Sequence, residues 1–279
     1  MDKERNLCYD GHTQREGEID MNTTPCKVTF HRDMLTVKGY DTRDAMGRAA
    51  AMDVAACLRR LLAEQETVNM IFAAAPSQNE LLFYLCEQTD IAWERVNAFH
   101  MDEYIGLPEN APQRFAAFLQ NAIFGKLPFK NVYTINACAI DAKEEEARYT
   151  ALLKAHPVDI VCMGIGENGH IAFNDPGVAD FNDPLTVKRA VLDEVCRTQQ
   201  VHDGCFERLE DVPKEALTLT VPTLFGGKHL FCVVPAASKR AAVTAMLNGE
   251  ITDMCPCTIL RRHADATLYC DSDSLEVTV

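Results

Sequence analysis

One segment near the middle of the chain brings together side chains that exchange protons. Residues 164–176 read Gly-Ile-Gly-Glu-Asn-Gly-His-Ile-Ala-Phe-Asn-Asp-Pro and follow the mostly apolar run 158–163, which is typical of a buried strand. The glycines allow a sharp turn. A histidine side chain can exchange protons at physiological pH, and the carboxylate of Asp175 can orient the His170 ring and stabilise its protonated form. No serine or cysteine nucleophile and no His-x-x-x-His pattern accompanies this pair. The segment therefore favours acid–base chemistry on a small molecule, without a metal.

A second segment places two carboxylates directly after a predicted strand. Residues 100–108 read His-Met-Asp-Glu-Tyr-Ile-Gly-Leu-Pro and follow the run 96–100. Adjacent side chains point in different directions, so at most one of Asp102 and Glu103 faces a site while the other is capped or solvated. A partly closed site would raise the pKa of that carboxyl towards a value useful for a base. Taken alone, the segment equally fits a solvated turn.

A third segment has the composition of an anion-binding turn. Residues 73–79, Ala-Ala-Ala-Pro-Ser-Gln-Asn, join a predicted strand to a predicted helix. Free amides and the helix dipole at such a turn attract phosphate, and Ser77 and Gln78 add side-chain donors. The turn contains no glycine and is therefore not a P-loop. Small residues here also suit tight packing, so this segment is weak evidence by itself.

These segments are positioned by alternating strands and helices. The predicted strands are 28–30, 68–73, 96–100, 132–135, 158–163, 228–234 and 266–269, and the predicted helices are 41–65, 79–88, 113–124, 143–155 and 238–247. Such alternation predicts a three-layer α/β/α fold with a mostly parallel, doubly wound sheet. We expect a polar extension at 1–25 and one domain at 26–279, with a lid at about 178–215. Ligands of such sheets bind beyond the carboxyl ends of the strands, so the three segments are expected to meet there.

Composition limits the classes of partner. The chain has 279 residues and a formal charge of −14, which argues against a non-specific nucleic-acid surface and against binding to anionic membranes. No apolar run approaches the roughly 20 residues of a membrane span, and the first residues are polar and charged. We therefore expect a cytoplasmic protein that acts on a small molecule. A homo-oligomer is compatible with the sequence.

The cysteines do not suggest a disulfide framework. Most of the 12 stand singly within apolar runs, where a thiol behaves as a small hydrophobic side chain. A reducing compartment is therefore expected. Cys255-Pro256-Cys257 is too tightly spaced for an ordinary zinc pair, and no second pair stands at finger spacing. We interpret it as structural.

The three segments, in this order, resemble the glucosamine-6-phosphate deaminase (isomerase) family over about residues 28–272. The most specific elements are 101–108 and 164–176, and further support comes from Val-Pro-Lys-Glu-Ala-Leu-Thr at 212–218 and from Ser238-Lys239. The related 6-phosphogluconolactonases carry Asp-Glu-Arg where this chain has Asp102-Glu103-Tyr104. This difference favours the amino sugar branch.

The resemblance implies a sequence of proton transfers that needs no cofactor. His170, assisted by Asp175 and Asn168, would move a proton between O1 and O5 and open the sugar ring. Asp102 would move a proton between C2 and C1, and loss of ammonia would leave fructose 6-phosphate. The resemblance also implies residues that bind the sugar phosphate: Ala75, Ser77, Gln78 and Lys239, with His202 and Arg197 as candidates from the lid.

The chain departs from the family pattern at several of these positions. Asn168 stands where many members have a carboxylate, Asp175 replaces a glutamate, and the loop at 75–79 replaces Thr-Gly-Ser-Thr-Pro. Two alternatives to deamination of glucosamine 6-phosphate therefore stay open. One is an isomerase, deaminase or hydrolase of another sugar or sugar phosphate, and the other is a sugar-phosphate sensor without turnover. The presence of Asp102, His170 and Asp175 together favours an enzyme.

Overall fold

An eight-stranded sheet forms the centre of the chain. The computed structural model describes residues 25–136, 138–139, 141–202 and 204–276, so all but the last residue of the expected extension at 1–25 lies outside them. In spatial order the strands are β1 (Val28–Arg32), β2 (Leu35–Gly39), β11 (Ala266–Cys270), β10 (His229–Val234), β7 (Ile160–Met163), β3 (Val68–Phe72), β4 (Val96–His100) and β6 (Asn131–Tyr133). Only β1 and β2 pair antiparallel. The predicted mostly parallel sheet is confirmed.

Helices cover both faces of this sheet. They are α1 (Arg43–Glu64), α2 (Asn79–Cys86), α3 (Phe115–Leu119), α4 (Ala142–Ala155), α5 (Glu194–His202), α6 (Val221–Phe225) and α7 (Arg240–Asn248). Successive residues of β3 point to opposite faces. Met70 packs in the same apolar cluster as Leu58 of α1, whereas Ile71 packs in the cluster that contains Tyr149 of α4 and Met246 of α7. The three-layer architecture follows from this alternation.

The N-terminus and the buried face of α1 illustrate how the sequence determines a helix. The Thr42 side chain accepts a hydrogen bond from the backbone N–H of Ala45 at 3.1 Å, so Thr42 is the N-cap. Met46, Ala50 and Leu58 lie on the buried face at helical spacing.

Among the described residues, none of the helices combines the length and the apolar character that a transmembrane span requires.

A second, smaller sheet was not predicted. It is antiparallel and consists of β5 (Asp102–Tyr104), β9 (Glu215–Leu219) and β8 (Val187–Val191), in that order. Its edge strand β8 and the helix α5 both lie within the stretch 178–215, which was expected to form a lid. Only Met101 separates β4 of the large sheet from β5 of the small one. The chain therefore changes sheets next to the first predicted carboxylate.

Candidate active site

A cleft of about 690 Å³ opens beyond the carboxyl ends of β3, β4 and β7. All three segments singled out in the sequence reach it: residues 73–77, Met101 and Asp102, and the loop 164–173 each contribute to its walls. The position agrees with the general location of ligand sites in parallel sheets. The cleft is the candidate active site.

Asp102 faces the cleft from the first position of β5. It is 7% exposed, and its backbone pairs with Thr218 of β9. Burial, with a smaller contribution from the neighbouring charge of Glu103, raises the pKa of the Asp102 carboxyl well above its usual range. A carboxyl with a raised pKa holds a proton more tightly once it has taken one, which suits a general base.

Glu103, although adjacent, has a different environment. Its side chain is fully buried and accepts hydrogen bonds from the backbone N–H groups of Tyr104 and Phe115, both at 3.0 Å, and of Ala116 at 2.9 Å. Two of these donors belong to the first turn of α3, whose N–H groups have no partner within the helix. Glu103 therefore anchors a helix end while Asp102 faces the cleft, as expected from their adjacency.

The loop 164–173 holds the His170 ring directly on Gly166. A Cβ at position 166 would lie 2.2–2.4 Å from three atoms of the ring, so only glycine permits this approach. The backbone N–H of Gly166 donates to the carbonyl of His170 at 2.9 Å. Gly169 has a φ of +83°, which places it in the left-handed region. Two of the loop's glycines are thus required by the position of the histidine.

Asp175 and Asn168 support His170 from behind. Asp175 is fully buried, and its Oδ1 lies 2.9 Å from His170 Nδ1. At this distance the two atoms form a close ion-pair contact, although the ring N–H is not aligned for a hydrogen bond. Asn168 Nδ2 donates to the same Asp175 oxygen at 2.9 Å, while Asn168 Oδ1 accepts from the backbone N–H of His170 at 3.0 Å. The neutral amide of Asn168 thus bridges the Asp175 carboxylate and the His170 backbone. An ionised carboxylate at position 168 could not donate the hydrogen bond to Asp175.

The charge of Asp175 is maintained by these partners. Burial alone would raise its pKa, but contacts with His170, and then with Asn168 and Cys196, keep the pKa of Asp175 below its usual value. Ligand atoms of His170, Asp175 and Cys196 lie within 4.8 Å of one another, a combination that metals also use. Burial and the neighbouring Asp175 raise the pKa of the Cys196 thiol, so without a metal the thiol stays protonated and donates to Asp175. In this form the cluster supports the carboxylate that orients the histidine.

Three of the expected anion-binding residues also line the cleft. Ala75 and Ser77 line the cleft around a 3₁₀ turn at Pro76–Gln78, and Lys239, which is 7% exposed, lines it immediately before α7. Gln78 does not line the cleft. Its fully buried amide donates to the carbonyl of Val233 at 3.2 Å and to Ser77 Oγ at 3.1 Å. Gln78 therefore holds the turn against β10.

The two lid candidates do not reach the cleft in this structure. The guanidinium of Arg197 donates to the backbone carbonyls of Leu209 and Val212. The His202 side chain is 64% exposed, and its Nδ1 lies 3.9 Å from a carboxylate oxygen of Glu167. The structure thus ties Arg197 to the lid backbone and leaves His202 at the surface.

The lid contributes two glutamines that the sequence did not suggest. Gln199 and Gln200 of α5 are 8% and 7% exposed and line the cleft. Gln199 Oε1 accepts the backbone N–H of Glu167 at 2.9 Å, which links the lid helix to the histidine loop. Adjacent amides are candidate donors to sugar hydroxyls, but nothing in their spacing showed that these two face a site.

Comparisons with known proteins agree with this geometry. A family model described as glucosamine-6-phosphate isomerases/6-phosphogluconolactonase matches residues 41–269. The glucosamine-6-phosphate deaminase of Bacillus cereus (strain G9842) is 38% identical over 214 residues, which are 77% of this chain and 79% of that protein. The corresponding deaminase of Bacillus thuringiensis (strain Al Hakam) is 37% identical over the same shares of both chains.

Solved structures give the same result for the fold. A monomeric glucosamine-6-phosphate deaminase superposes with a TM-score of 0.77 at 25% identity, covering 85% of this chain and 98% of that one. The 6-phosphogluconolactonase of Thermotoga maritima gives a TM-score of 0.69 at 16% identity, over 85% and 100% of the two chains.

Proposed function

Because the chain belongs to the family of glucosamine-6-phosphate isomerases and 6-phosphogluconolactonases, we propose that it converts glucosamine 6-phosphate and water into fructose 6-phosphate and ammonia. The observation that carries the proposal is a single cleft that contains a buried carboxyl with a raised pKa, Asp102, and a carboxylate-supported histidine, His170. The chemistry requires two separate proton transfers, and each of these groups serves one of them.

The first transfer opens the pyranose ring. The proton of the O1 hydroxyl passes to His170, the C1–O5 bond breaks, and the histidine returns a proton to O5. Asp175 stabilises the protonated ring through its contact with Nδ1, so Nε2 is the nitrogen available to the sugar. The two hydrogen bonds of Asn168 hold the Asp175 carboxylate and the His170 backbone in fixed positions during this transfer.

The second transfer moves a proton from C2 to C1 of the open-chain sugar. The Asp102 carboxylate takes the proton from C2 while O1 gains one, which gives a C1–C2 enolamine. Return of the proton to C1 yields an imine at C2, and water hydrolyses this imine to the ketone with release of ammonia. A base that lies buried beside C1 and C2 can carry the same proton between them without losing it to solvent.

The remaining cleft residues fit the phosphate end of such a substrate. Lys239 supplies positive charge, and Ser77 supplies a hydroxyl donor from the turn Pro76–Gln78. Pro76 lacks an N–H, so this turn offers one amide fewer than a glycine-rich loop. We propose that Gln199 and Gln200 supplement it by binding oxygens of the substrate.

Further parts of the proposal come from the sequence. We infer a catalytic domain at about 26–279 with a mobile cover formed by residues 178–215, working in the cytoplasm. The net charge of −14 fits a protein that does not bind nucleic acid. The final hydrolytic step consumes water, and no added redox cofactor takes part in the scheme.

Ammonia release from purified protein tests the proposal. Glucosamine 6-phosphate is compared with unphosphorylated glucosamine, and the Asp102→Asn protein serves as the control for contaminating activity. We expect release from the phosphate ester only, and only with the intact carboxylate. Release from neither substrate would transfer the assignment to another sugar phosphate, and hydrolysis of 6-phosphogluconolactone would identify the lactonase alternative.

A further inference from the structure

A pair of thiols contacts the active-site loop from outside the cleft. The sulfurs of Cys255 and Cys257 lie 3.7 Å apart in the motif Cys-Pro-Cys, immediately before and within the 3₁₀ turn Pro256–Arg262. Cys257 is fully buried, whereas Cys255 is partly exposed. The mechanism proposed above uses neither thiol.

Both sulfurs pack on Gly169, the residue before His170. A Cβ at position 169 would lie 2.9 Å from the Cys255 sulfur and 3.2 Å from the Cys257 sulfur. The backbone N–H of Cys257 donates to the carbonyl of Gly169 at 2.9 Å, and the N–H of Gly169 donates to the carbonyl of Gly166 at 3.0 Å. Any displacement of these sulfurs is therefore transmitted to the turn that carries the histidine.

The two thiols differ in reactivity as a redox pair requires. The hydrogen bond with Cys257 lowers the pKa of Cys255 to about 7, although burial acts in the opposite direction. Cys255 is therefore thiolate at neutral pH to a larger extent than an ordinary cysteine, and the thiolate is the reactive form. Burial raises the pKa of other thiols in the core, including Cys162 and Cys232. Cys255 thus combines access, a low pKa and a second sulfur within reach.

We propose that Cys255 and Cys257 form a modification site, at which a hydroperoxide oxidises the dithiol reversibly to a disulfide that displaces Gly169 and His170. The Cys255 thiolate attacks the O–O bond, becomes a sulfenic acid, and releases an alcohol, or water when the oxidant is hydrogen peroxide. The Cys257 thiol then attacks the sulfenic sulfur, forms the S–S bond and releases water. The two sulfurs together supply the two electrons that reduce the peroxide.

Closure of the disulfide has a direct structural consequence. The sulfurs must approach from 3.7 Å to a bond length of about 2.05 Å. They lie side by side against Gly169, so drawing them together changes the surface on which that glycine rests. A ring closed across a single intervening proline is strained, and strained disulfides are readily reduced by cellular thiols. The site is accordingly reversible.

Peptide mass spectrometry tests the covalent step independently of any enzyme activity. The purified protein is treated with hydrogen peroxide, its remaining thiols are alkylated, and the peptide containing residues 255–257 is examined. We expect an unalkylated peptide that has lost two hydrogens, and its alkylation after dithiothreitol. An alkylated peptide, a sulfinic acid, or a disulfide to another cysteine would overturn the proposal.

The coupling to the loop is tested by two further measurements. Hydrogen exchange of the peptide containing residues 166–171 should rise on oxidation of the wild-type protein and stay unchanged in Cys255→Ser. Ammonia release, which rests on the proposed function, should fall between about tenfold and a hundredfold on oxidation, and recover with dithiothreitol. Reduced Cys255→Ser should retain basal turnover and resist peroxide.

A matched control is Cys138→Ser, which removes an exposed thiol elsewhere on the surface. It should remain as sensitive to peroxide as the wild-type protein. Equal sensitivity of Cys255→Ser and the wild type, or unchanged exchange after proven disulfide formation, would refute the coupling. If the protein releases no ammonia in the reduced state, the mass and exchange measurements still decide the proposal while the assigned function fails.

Discussion

The two walls of the cleft are held together over very different distances along the chain. The histidine wall, comprising Asp102 and His170 with Asn168 and Asp175 behind them, has a local centre, because the hydrogen bond between Asn168 and Asp175 joins residues seven apart. Asp102 itself is placed by the pairing of β5 with β9. The lysine wall, comprising Ala75, Ser77 and Lys239, depends on segments that are distant in sequence. Gln78, for example, bonds to a carbonyl 155 residues away.

This difference explains which features of the cleft can be predicted from a short sequence motif. A loop that supplies several of its own hydrogen-bond partners encodes much of its geometry in a short stretch of sequence. A wall assembled from a turn, a helix start and a lid can change its donors one at a time, because each comes from a separate element. We therefore infer that the histidine wall reflects the type of reaction and that the lysine wall reflects the choice of substrate.

The strongest test of the histidine wall is Asp102→Asn. We expect turnover to fall about 10²- to 10⁴-fold, which is the contribution of a positioned general base. Substrate binding, measured by calorimetry, should be largely kept because the amide occupies the same space. Normal turnover in this variant would show that another group removes the C2 proton.

A weaker effect is expected from Gly166→Ala. The added methyl group would overlap the His170 ring, which must move by the order of 1 Å, and such a displacement costs about a hundredfold in rate. Gly226→Ala is the matched control, because Gly226 has an ordinary φ of −74° and meets only carbonyl oxygens, at 3.1 Å and beyond. Similar rates for the two variants would mean that the ring position matters little.

The lysine wall is tested by Lys239→Met, which keeps an apolar stem and removes the charge. The loss of a charged hydrogen bond of about 1.5–3 kcal/mol should raise KM for the phosphorylated sugar roughly 10- to 100-fold. The value of kcat should change less, because proton transfer occurs at the other wall. An unchanged KM would remove Lys239 from phosphate binding.

The raised pKa of Asp102 also predicts a dependence of stability on pH. The unfolded carboxyl ionises near pH 3.9, whereas the folded carboxyl stays protonated to a higher pH. Between these two pKa values the folded state binds more protons, so stability decreases as pH rises, by at most about 1.4 kcal/mol per pH unit.

Asp102→Asn removes this titration. Its melting temperature should therefore exceed that of the wild type by a margin that grows from pH 4 upwards, as measured by calorimetry across the pH range. A constant margin at every pH would indicate that the substitution acts through packing alone.

The smallest effects are expected from the lid. His202→Ala should leave KM and stability unchanged, because the side chain is exposed outside the cleft. Arg197→Gln should also leave KM unchanged but lower stability by about 1–2 kcal/mol, since its hydrogen bonds to lid carbonyls are lost. A tenfold rise in KM for either variant would show that the lysine wall extends into the lid when substrate binds.

The sequence predicted the fold where burial and periodicity agree. The strands at 68–72 and 96–100 are buried on both faces and appear as apolar runs. The small sheet was missed because β5 has three residues, all of them polar or aromatic, and its partners lie more than a hundred residues away. Strand β2 was also missed, since the turn that joins it to β1 places Asp33 at a φ of +52° without a glycine to indicate it.

Long-range contacts also limited the prediction of the site. The adjacency of Asp102 and Glu103 sufficed to predict that only one of them faces a site. Nothing local indicated that α5 would turn Gln199 and Gln200 inward while Arg197 bonded to its own lid, because those outcomes depend on how the lid packs against the loop. Whether a side chain in the stretch 178–215 reaches the cleft depends on tertiary contacts rather than on spacing along the sequence.

The single residue between β4 and β5 constrains how this sequence can change through insertions and deletions. Side chains alternate along a strand, so adding or removing one residue at Met101 would exchange the faces of Asp102 and Glu103. The base would then point at the start of α3, and the helix anchor would enter the cleft. Related proteins can differ in the length of their surface loops. At this junction, by contrast, we expect substitutions to be tolerated far better than insertions or deletions.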